Sequence, residues 1–303
     1  MSELEHFTDP GAFLAAASEH LAADPVLNTV VATVTERTRD EIAAGVPQDD
    51  SHPHWWVVAR HGSGAVAGVA MRTAPFRPHP LFVLPMPDES ARALARSLHE
   101  RGEEAIGVNG ALPAARVCAE EIARLTGGTV EVGQHTRLFE LGDLVSPPDP
   151  PGGLRRAVPD DVGLALDWFE AFGRDADEQA GREPGSMHEA AEDLETMRRR
   201  IEGGRIWFWV DEHGDRVHLT GANAPAFDVA RIGPVYTPGE QRGRGYASAA
   251  VAEVTRQILA GGSRACLFTD QANPTSNKIY EALGYRPVVD MANLRVTPRL
   301  DEP

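Results

Sequence analysis

A glycine-rich loop with two arginines is the segment of this sequence whose residue types best suit ligand chemistry. Residues 237–248 read TPGEQRGRGYAS and run into an apolar helical pattern. Gly243 and Gly245 leave room for a ligand to approach the backbone, and the following helix directs unpaired amides and the positive end of its dipole to the same place. Arg242 and Arg244 add positive charge, so the loop suits a pyrophosphate group.

The residues of this loop alone leave two other interpretations open. One is an ordinary surface loop closed by small residues. The other is a dinucleotide-binding fingerprint, because Gly243-Arg244-Gly245 begins as G-x-G; however, Ser248 stands at the third glycine position and no long alternation of parallel strands and helices accompanies it. A Walker phosphate loop is excluded, since the only lysine, Lys278, follows an asparagine.

A second segment, 273–285, reads NPTSNKIYEALGY and predicts a short helix. Ser276, Asn277 and Tyr280 share one face of that helix by their i, i+3 and i+4 spacing. Ile279 and Leu283 share another face, which we expect to pack against the core. The Tyr280 phenol therefore need not belong to the core, although a tyrosine packed at the sheet's edge with its hydroxyl in water is an alternative.

Together the two segments resemble the two signatures of the GNAT superfamily of N-acetyltransferases. The first matches the acetyl-CoA motif Arg-x-x-Gly-x-Ala with Arg242, Gly245 and Ala247, and the second is an Asn loop with a short helix that ends Tyr-x-x-x-Gly-Tyr from Tyr280. The motifs stand in the family's order, and they anchor the resemblance over roughly Arg155–Val296.

The resemblance implies a set of acetyl-CoA-binding residues. Backbone groups of Val235, Tyr236 and Thr237 would hold the pantetheine arm and acetyl group where the third strand splays from the next, and amides over 242–248 would cradle the pyrophosphate. The implied cofactor-binding residues are Val235, Tyr236, Thr237, Arg242, Gly243, Arg244, Gly245, Tyr246, Ala247, Ser248, Asn273, Asn277 and Tyr280.

Tyr280 is also the general acid that the resemblance implies. A phenol with a pKa of about 10 stays protonated at neutral pH and can donate a proton to a departing thiolate. The amine that accepts the acetyl group must lose a proton, and Glu170, His218 and Asp270 are candidate bases. An acidic stretch over 170–178 would attract a cationic amine, although a solvated acidic loop is an equal interpretation.

Hydrophobic periodicity predicts the elements that position these residues in the C-terminal half. They are helices 160–172 and 187–201, strands 205–210, 216–221 and 231–237, a long helix after the glycine loop, strand 265–269, helix 276–283 and strand 285–289.

Hydrophobic periodicity in the N-terminal half predicts a similar order of elements. They are helices 11–22 and 28–44, strands 55–60, 65–72 and 81–84, helix 89–101, strand 105–108, helix 113–125 and strand 136–141. Residues 84–91, which correspond in position to the glycine loop, contain two prolines, two acids and no glycine. Since prolines lack amide donors, this half is predicted to be a degenerate lobe without a CoA site.

The predicted fold is α/β (α+β), with two GNAT-like lobes in tandem, each a mixed, mostly antiparallel twisted sheet flanked by helices. Residues 146–153 hold four prolines and two glycines, which is typical of a linker. The predicted domains are therefore a degenerate lobe over 1–145, the linker over 146–153 and a catalytic lobe over 154–303.

The composition of the 303-residue chain limits the classes of partner that we expect. Its formal net charge of −16 makes nucleic acid an unfavourable partner, and the sequence has neither a signal segment nor an apolar stretch of membrane-spanning length. Cys118 and Cys266 lie far apart, and His52 with His54 lack further ligands, so no metal is expected. We expect a cytoplasmic monomer or homodimer.

The sequence therefore predicts an acetyl-CoA-dependent N-acetyltransferase that transfers an acetyl group directly to a primary amine of a small molecule or peptide, the amine being cationic. The alternative is a non-catalytic acyl-CoA-binding or regulatory module that retains the pyrophosphate loop.

Overall fold

The computed structural model describes residues 3–48, 52–179, 181–183 and 193–299. Contacts between residues divide the chain into two compact units. Unit 1 consists of Met1–Thr136 together with Val289–Pro303, and unit 2 consists of Arg137–Val288.

Within the described residues, the first part of the chain contains four helices and six strands. They are β1 (Glu3–Phe7), α1 (Pro10–Ala23), α2 (Thr29–Ala43), β2 (Trp55–Arg60), β3 (Val66–Arg72), β4 (Leu81–Val83), α3 (Asp88–Glu100), β5 (Gly107–Ala111), α4 (Ala114–Leu125) and β6 (Thr129–Leu141).

The described residues of the second part again contain four helices and six strands. They are β7 (Gly153–Arg156), α5 (Val162–Gln179), α6 (Leu194–Glu202), β8 (Ile206–Val210), β9 (Arg216–Ala222), β10 (Val229–Tyr236), α7 (Tyr246–Ala260), β11 (Arg264–Asp270), α8 (Pro274–Ala282) and β12 (Tyr285–Thr297).

The sheet of unit 1 runs in the order β1-β2-β3-β4-β5, followed by the 289–297 part of β12. Its pairs are antiparallel except for β4 with β5, which is parallel. Helices α3 and α4 pack against it, because Leu94 and Leu98, one helical turn apart, and Cys118 join the same buried cluster as Val57 and Val108.

In unit 2 the strands run in the order β11-β10-β9-β8-β7, with the 137–141 part of β6 beside β11. Only β10 with β11 is parallel among the pairs from β7 to β11. Helix α7 packs through Val251 and Val254 on a cluster that includes Ile232 and Leu267. Helices α5 and α6 contribute Ala165, Met197 and Ile201 to a separate cluster with Phe208. The predicted fold class, two mixed and mostly antiparallel lobes flanked by helices, is confirmed.

Helix α5, strand β12 and two short edge strands differ from the sequence prediction. Helix α5 continues through Gly173 to Gln179, because that glycine is buried in the packing of the helix and does not end it, so Asp175, Asp177 and Glu178 are helical rather than in a loop. Strand β12 extends to Thr297 because its second part pairs with β5. Short edge strands β1 and β7 were not predicted. Of the predicted helix 187–201, residues 187–192 lie outside the described residues.

The bounds of the compact units also differ from the predicted domains. Residues 137–145 and the predicted linker belong to unit 2, while residues 289–303 belong to unit 1. The reason is strand pairing: Met291 lies opposite Ala111 and Arg295 opposite Gly107, so the end of the chain completes the sheet of unit 1.

None of the helices in the described residues combines the length and the apolar character that crossing a bilayer requires.

Candidate functional site

The two parallel strands of unit 2 separate at the site. The register between β10 and β11 ends at Ile232, opposite Leu267. β10 continues to Tyr236 and stays paired with β9, while β11 continues to Asp270. Among the described strands, none pairs with the open edge of β10 over 233–236. An extended ligand can take the place of a strand partner there.

A loop with two left-handed glycines follows β10 and starts helix α7. Gly243 has φ +77° and Gly245 has φ +86°, a backbone region that favours glycine. A Cβ atom at either position would meet no other atom within 4 Å, so the loop is open on its outer side. Gly245 caps α7 without a side-chain hydrogen bond, which leaves the amides of the first turn to an anion.

The two arginines of this loop are held by hydrogen bonds within unit 2. Arg242 donates to the Asp175 carboxylate at 2.6 Å and to the Thr237 carbonyl at 3.0 Å. Arg244 donates to the Glu240 carbonyl at 3.3 Å and remains exposed. The charge of Arg242 is therefore shared with Asp175, a pairing that sequence spacing does not reveal.

Helix α5 forms the wall opposite the loop. Phe172, Asp175, Ala176 and Gln179 line the cleft because their i, i+3, i+4 and i+7 spacing places them on one helix face. The Asp175 carboxylate also accepts a hydrogen bond from the Tyr236 hydroxyl at 3.1 Å.

The cleft has a volume of about 300 Å³. Its lining contains Val235, Tyr236, Thr237, Arg242, Gly243, Arg244, Gly245, Tyr246, Ala247, Ser248, Asn273 and Tyr280 of the predicted binding residues, and in addition Phe172, Asp175, Ala176, Gln179, Gln241, Thr275, Ser276 and Ile279.

Asn277 is the one predicted binding residue that does not line this cleft. Its side-chain amide donates to the backbone carbonyls of Asn273, at 2.8 Å, and of Asp270, at 3.2 Å. Asn273 caps α8 by accepting from the Ser276 amide at 3.0 Å, and it donates to the Gln179 side chain at 3.0 Å. Asn277 therefore fixes the loop that presents Asn273.

Tyr280 lies at the boundary between the cleft and the core of unit 2. It lines the cleft, yet it is only 7% exposed and packs with Leu283 and Val251. Burial raises the pKa of its phenol, so the group stays protonated. The expected core packing of Ile279 and Leu283 is confirmed, and Ile279 also lines the cleft. Tyr280 is buried although it lies on the helix face with the polar residues Ser276 and Asn277.

Two of the three candidate bases, Glu170 and Asp270, do not line the cleft. Glu170 is an exposed residue on α5, 3.9 Å from Arg174, and its position two residues before Phe172 turns it away from the cleft. Asp270 accepts from Arg182 at 2.6 Å, and the same guanidinium donates to the fully buried Asp177 at 3.1 Å. Asp270 thus takes part in an ion-pair network that includes Arg182, which the sequence did not single out.

His218, the third candidate base, is fully buried on β9. Its Nδ1 lies 2.7 Å from the Thr237 hydroxyl and its Nε2 lies 2.7 Å from the Thr220 hydroxyl. Burial lowers the pKa of the imidazole to about 3. The ring is therefore neutral, and only Thr237 connects it to the cleft.

In unit 1, His79 lies beside His52 and His54, the two histidines considered above as possible metal ligands. The ring centroids of His52 and His54 are 4.3 Å apart, and those of His52 and His79 are 3.8 Å apart in a stacked arrangement. Stacked rings do not direct their nitrogen lone pairs at one point. Over the described ranges, no group of three or more histidine, cysteine or acidic side chains has the arrangement of a metal site.

Residues 221–296 match the family model of FR47-like proteins. The match spans the end of β9, β10, the glycine loop, α7, β11 and α8, which together form most of the cleft. No curated protein sequence matches the chain.

Solved structures resemble the whole chain. A GCN5-related N-acetyltransferase from Sphaerobacter thermophilus has a TM-score of 0.56 at 17% identity, covering 93% of this chain and 95% of its own. A GNAT-family acetyltransferase from Colwellia psychrerythraea has a TM-score of 0.54 at 10% identity, with 98% and 100% covered. A tandem GNAT protein from the clavulanic acid biosynthesis pathway has a TM-score of 0.53 at 12% identity, and both chains are covered completely.

Proposed function

We propose that this chain is an N-acetyltransferase of the GNAT superfamily, in which unit 2 binds acetyl-CoA in its cleft and transfers the acetyl group to a primary amine of a small molecule or peptide. The FR47-like match over residues 221–296 and the fold shared with a tandem GNAT protein support the proposal. One observation carries the proposal: the open edge of β10 leads directly into the glycine loop, so a single extended ligand can contact both.

The residues of the cleft fit the parts of acetyl-CoA. The open edge of β10 at Val235 offers backbone groups to the amides of the pantetheine arm. The amides that follow Gly243 and Gly245 suit the pyrophosphate, because the α7 dipole favours negative charge there. The guanidiniums of Arg242 and Arg244 supply the positive charge that a polyanion requires.

In the proposed reaction the neutral amine attacks the acyl carbon, a C–N bond forms and the C–S bond breaks. Tyr280, which burial keeps protonated, donates its hydroxyl proton to the departing sulfur. The proton lost by the amine passes to solvent or a base, and Tyr280 regains a proton from solvent before the next turnover.

The test is release of free CoA thiol from acetyl-CoA in the presence of amines, aminoglycosides, amino acids or peptides. We expect at least one amine class to raise the rate above hydrolysis, and acetyl-CoA to raise the melting temperature of the protein. Binding without release for any amine would favour the acyl-CoA-binding module. Failure of both CoA and acetyl-CoA to bind would refute both functions.

A further inference from the structure

A chain of three hydrogen-bonding side chains connects the interior of unit 2 with the cleft. Thr220 and His218 lie two residues apart on β9 and therefore on the same face of the strand. The His218 ring lies between two hydroxyls, with Nε2 2.7 Å from Thr220 Oγ1 and Nδ1 2.7 Å from Thr237 Oγ1. Thr237 lines the cleft.

The inner part of this chain is closed to water. His218 and Thr220 are both 0% exposed, whereas Thr237 is partly exposed. Both ring nitrogens face hydroxyls, and neither faces a carboxylate that would stabilise an imidazolium. The ring is accordingly neutral, in line with the effect of burial on its pKa.

A neutral imidazole has one N–H donor and one nitrogen acceptor, so the two threonines must play opposite roles. In the first arrangement the Thr220 hydroxyl donates to Nε2, and Nδ1–H donates to Thr237 Oγ1. In the second, Nε2–H donates to Thr220 Oγ1, and the Thr237 hydroxyl donates to Nδ1.

The burial of Thr220 decides between the two arrangements. The Thr220 side chain has His218 as its hydrogen-bond partner, so in the second arrangement its buried hydroxyl hydrogen would have no acceptor. A buried donor without an acceptor is strongly unfavourable. The first arrangement pairs every buried donor, and it directs the Thr237 hydroxyl hydrogen away from the ring.

We propose that His218, protonated on Nδ1, is a positioning residue that makes the Thr237 hydroxyl a hydrogen-bond donor into the cleft. Its acceptor is an oxygen of the acyl-CoA arm beside the end of β10, so this part rests on the proposed function. The buried imidazole thus acts through Thr237 and takes no proton from the amine.

The tautomer is measured on the ligand-free protein by long-range ¹H–¹⁵N NMR of histidine-labelled samples. The His218 resonances are assigned by their changes in Thr220→Ser and Thr237→Ser, which keep both hydroxyls. We expect Nδ1 to be protonated and Nε2 to be bare in the wild type and in both serine variants. A wild-type ring protonated on Nε2 overturns the inference.

The proposed hydrogen bond from the Thr237 hydroxyl into the cleft is tested by measuring the affinity for acetyl-CoA. We expect Thr237→Val to raise the Kd and KM for acetyl-CoA about tenfold with kcat unchanged, because the bond stabilises bound ground state and transition state alike. Thr237→Ser should restore both constants. If Thr237→Val binds like the wild type, the inference fails and the proposed function stands. If the wild type itself binds no acetyl-CoA, the proposed function fails while the tautomer is still decided by NMR.

Discussion

In unit 1, β4 stays paired with β5 up to its last residue, Val83, which lies opposite Gly110. In unit 2 the corresponding parallel pair, β10 and β11, ends at Ile232, and β10 runs four residues further without β11. The contact in unit 1 is close, since a Cβ on Gly110 would lie 1.9 Å from the Val83 carbonyl oxygen. No gap for an extended ligand opens beside β4.

The connection from β4 to α3 in unit 1 also differs from the connection from β10 to α7 in unit 2, since only the second is open to a ligand. In unit 1 the chain reaches α3 through Pro85 and Pro87, which have no amide hydrogen, and it packs onto β3, where a Cβ on Gly68 would lie 2.6 Å from the Pro85 carbonyl oxygen. In unit 2 the loop around Gly243 and Gly245 is open and supplies amides. The same order of elements therefore leaves an open strand edge and an open loop with amide donors in unit 2 and neither of them in unit 1.

The largest expected effect is that of Gly245→Asp, which places a carboxylate where the pyrophosphate is proposed to lie. We expect the affinity for CoA to fall about a thousandfold through charge repulsion. Gly245→Asn is the matched control, because asparagine has the same shape, tolerates the left-handed backbone and carries no charge. Thermal shift and calorimetry with CoA measure the difference, and equal loss in both variants would assign the effect to backbone strain instead.

Two buried polar residues, Tyr280 in α8 of unit 2 and Glu121 in α4 of unit 1, are expected to have different roles, one in catalysis and one in stability. Tyr280→Phe should lower kcat about a hundredfold at unchanged CoA affinity, since a general acid is lost. Tyr285→Phe is its control: that buried hydroxyl shares a 2.7 Å hydrogen bond with Thr255, so its loss should lower stability and leave kcat intact. Steady-state kinetics and melting temperatures separate the two, and a full kcat in Tyr280→Phe would exclude the acid role.

In α4, Glu121 has a structural role. Hydrogen bonds from Arg124 and Arg96 outweigh burial and hold the pKa of its carboxyl at about 2, below the ordinary 4.5. A lowered pKa stabilises the fold above pH 4.5, and this contribution is lost as the pH falls toward 2.

Glu121→Gln should therefore destabilise the protein by about 1 kcal/mol at pH 7, a modest value because both arginines are half exposed. The free energy of unfolding of this variant should also fall less steeply than that of the wild type as the pH is lowered. Urea unfolding between pH 7 and pH 3 measures this change. Glu120→Gln, at an exposed neighbouring position, is the control, and a change in kcat for Glu121→Gln would contradict the division of roles between α4 and α8.

The smallest effect is expected from Pro87→Ser in the Gly245→Asp background, where the site of unit 2 is disabled. Serine adds an amide and an N-cap hydroxyl to α3, and stability should change by no more than about 1 kcal/mol. CoA should still not bind, because β4 and β5 remain paired up to Val83. Recovery of a CoA-induced thermal shift would show that Pro87, and not the strand pairing, prevents CoA binding in unit 1.

The local parts of the site could be predicted from sequence because they depend on neighbours along the chain. Two glycines followed by an amphipathic pattern identify the helix start at α7, and Asn273 before a proline identifies the start of α8. The separation of the third strand from the next followed from the family resemblance, whereas their parallel pairing was not predicted. All but one of the implied binding residues line the cleft.

What the sequence missed depends on contacts between distant residues. The Arg242–Asp175 pair joins residues 67 positions apart, and Arg182 reaches Asp270 across 88. Periodicity also did not show that Ile279 and Tyr280 of α8 would each contact both the core and the cleft. The pairing of β12 with β5 likewise has no local signal.

The completion of unit 1 by residues 289–303 has a consequence for synthesis. Unit 2 is one unbroken stretch of chain, so all of it emerges from the ribosome before the strand that unit 1 still lacks. Until then the edge of β5 that later pairs with β12 has no partner from the chain's end, and open strand edges promote aggregation. Unit 1 thus begins first along the chain, yet its sheet is completed only after the whole of unit 2 has been translated.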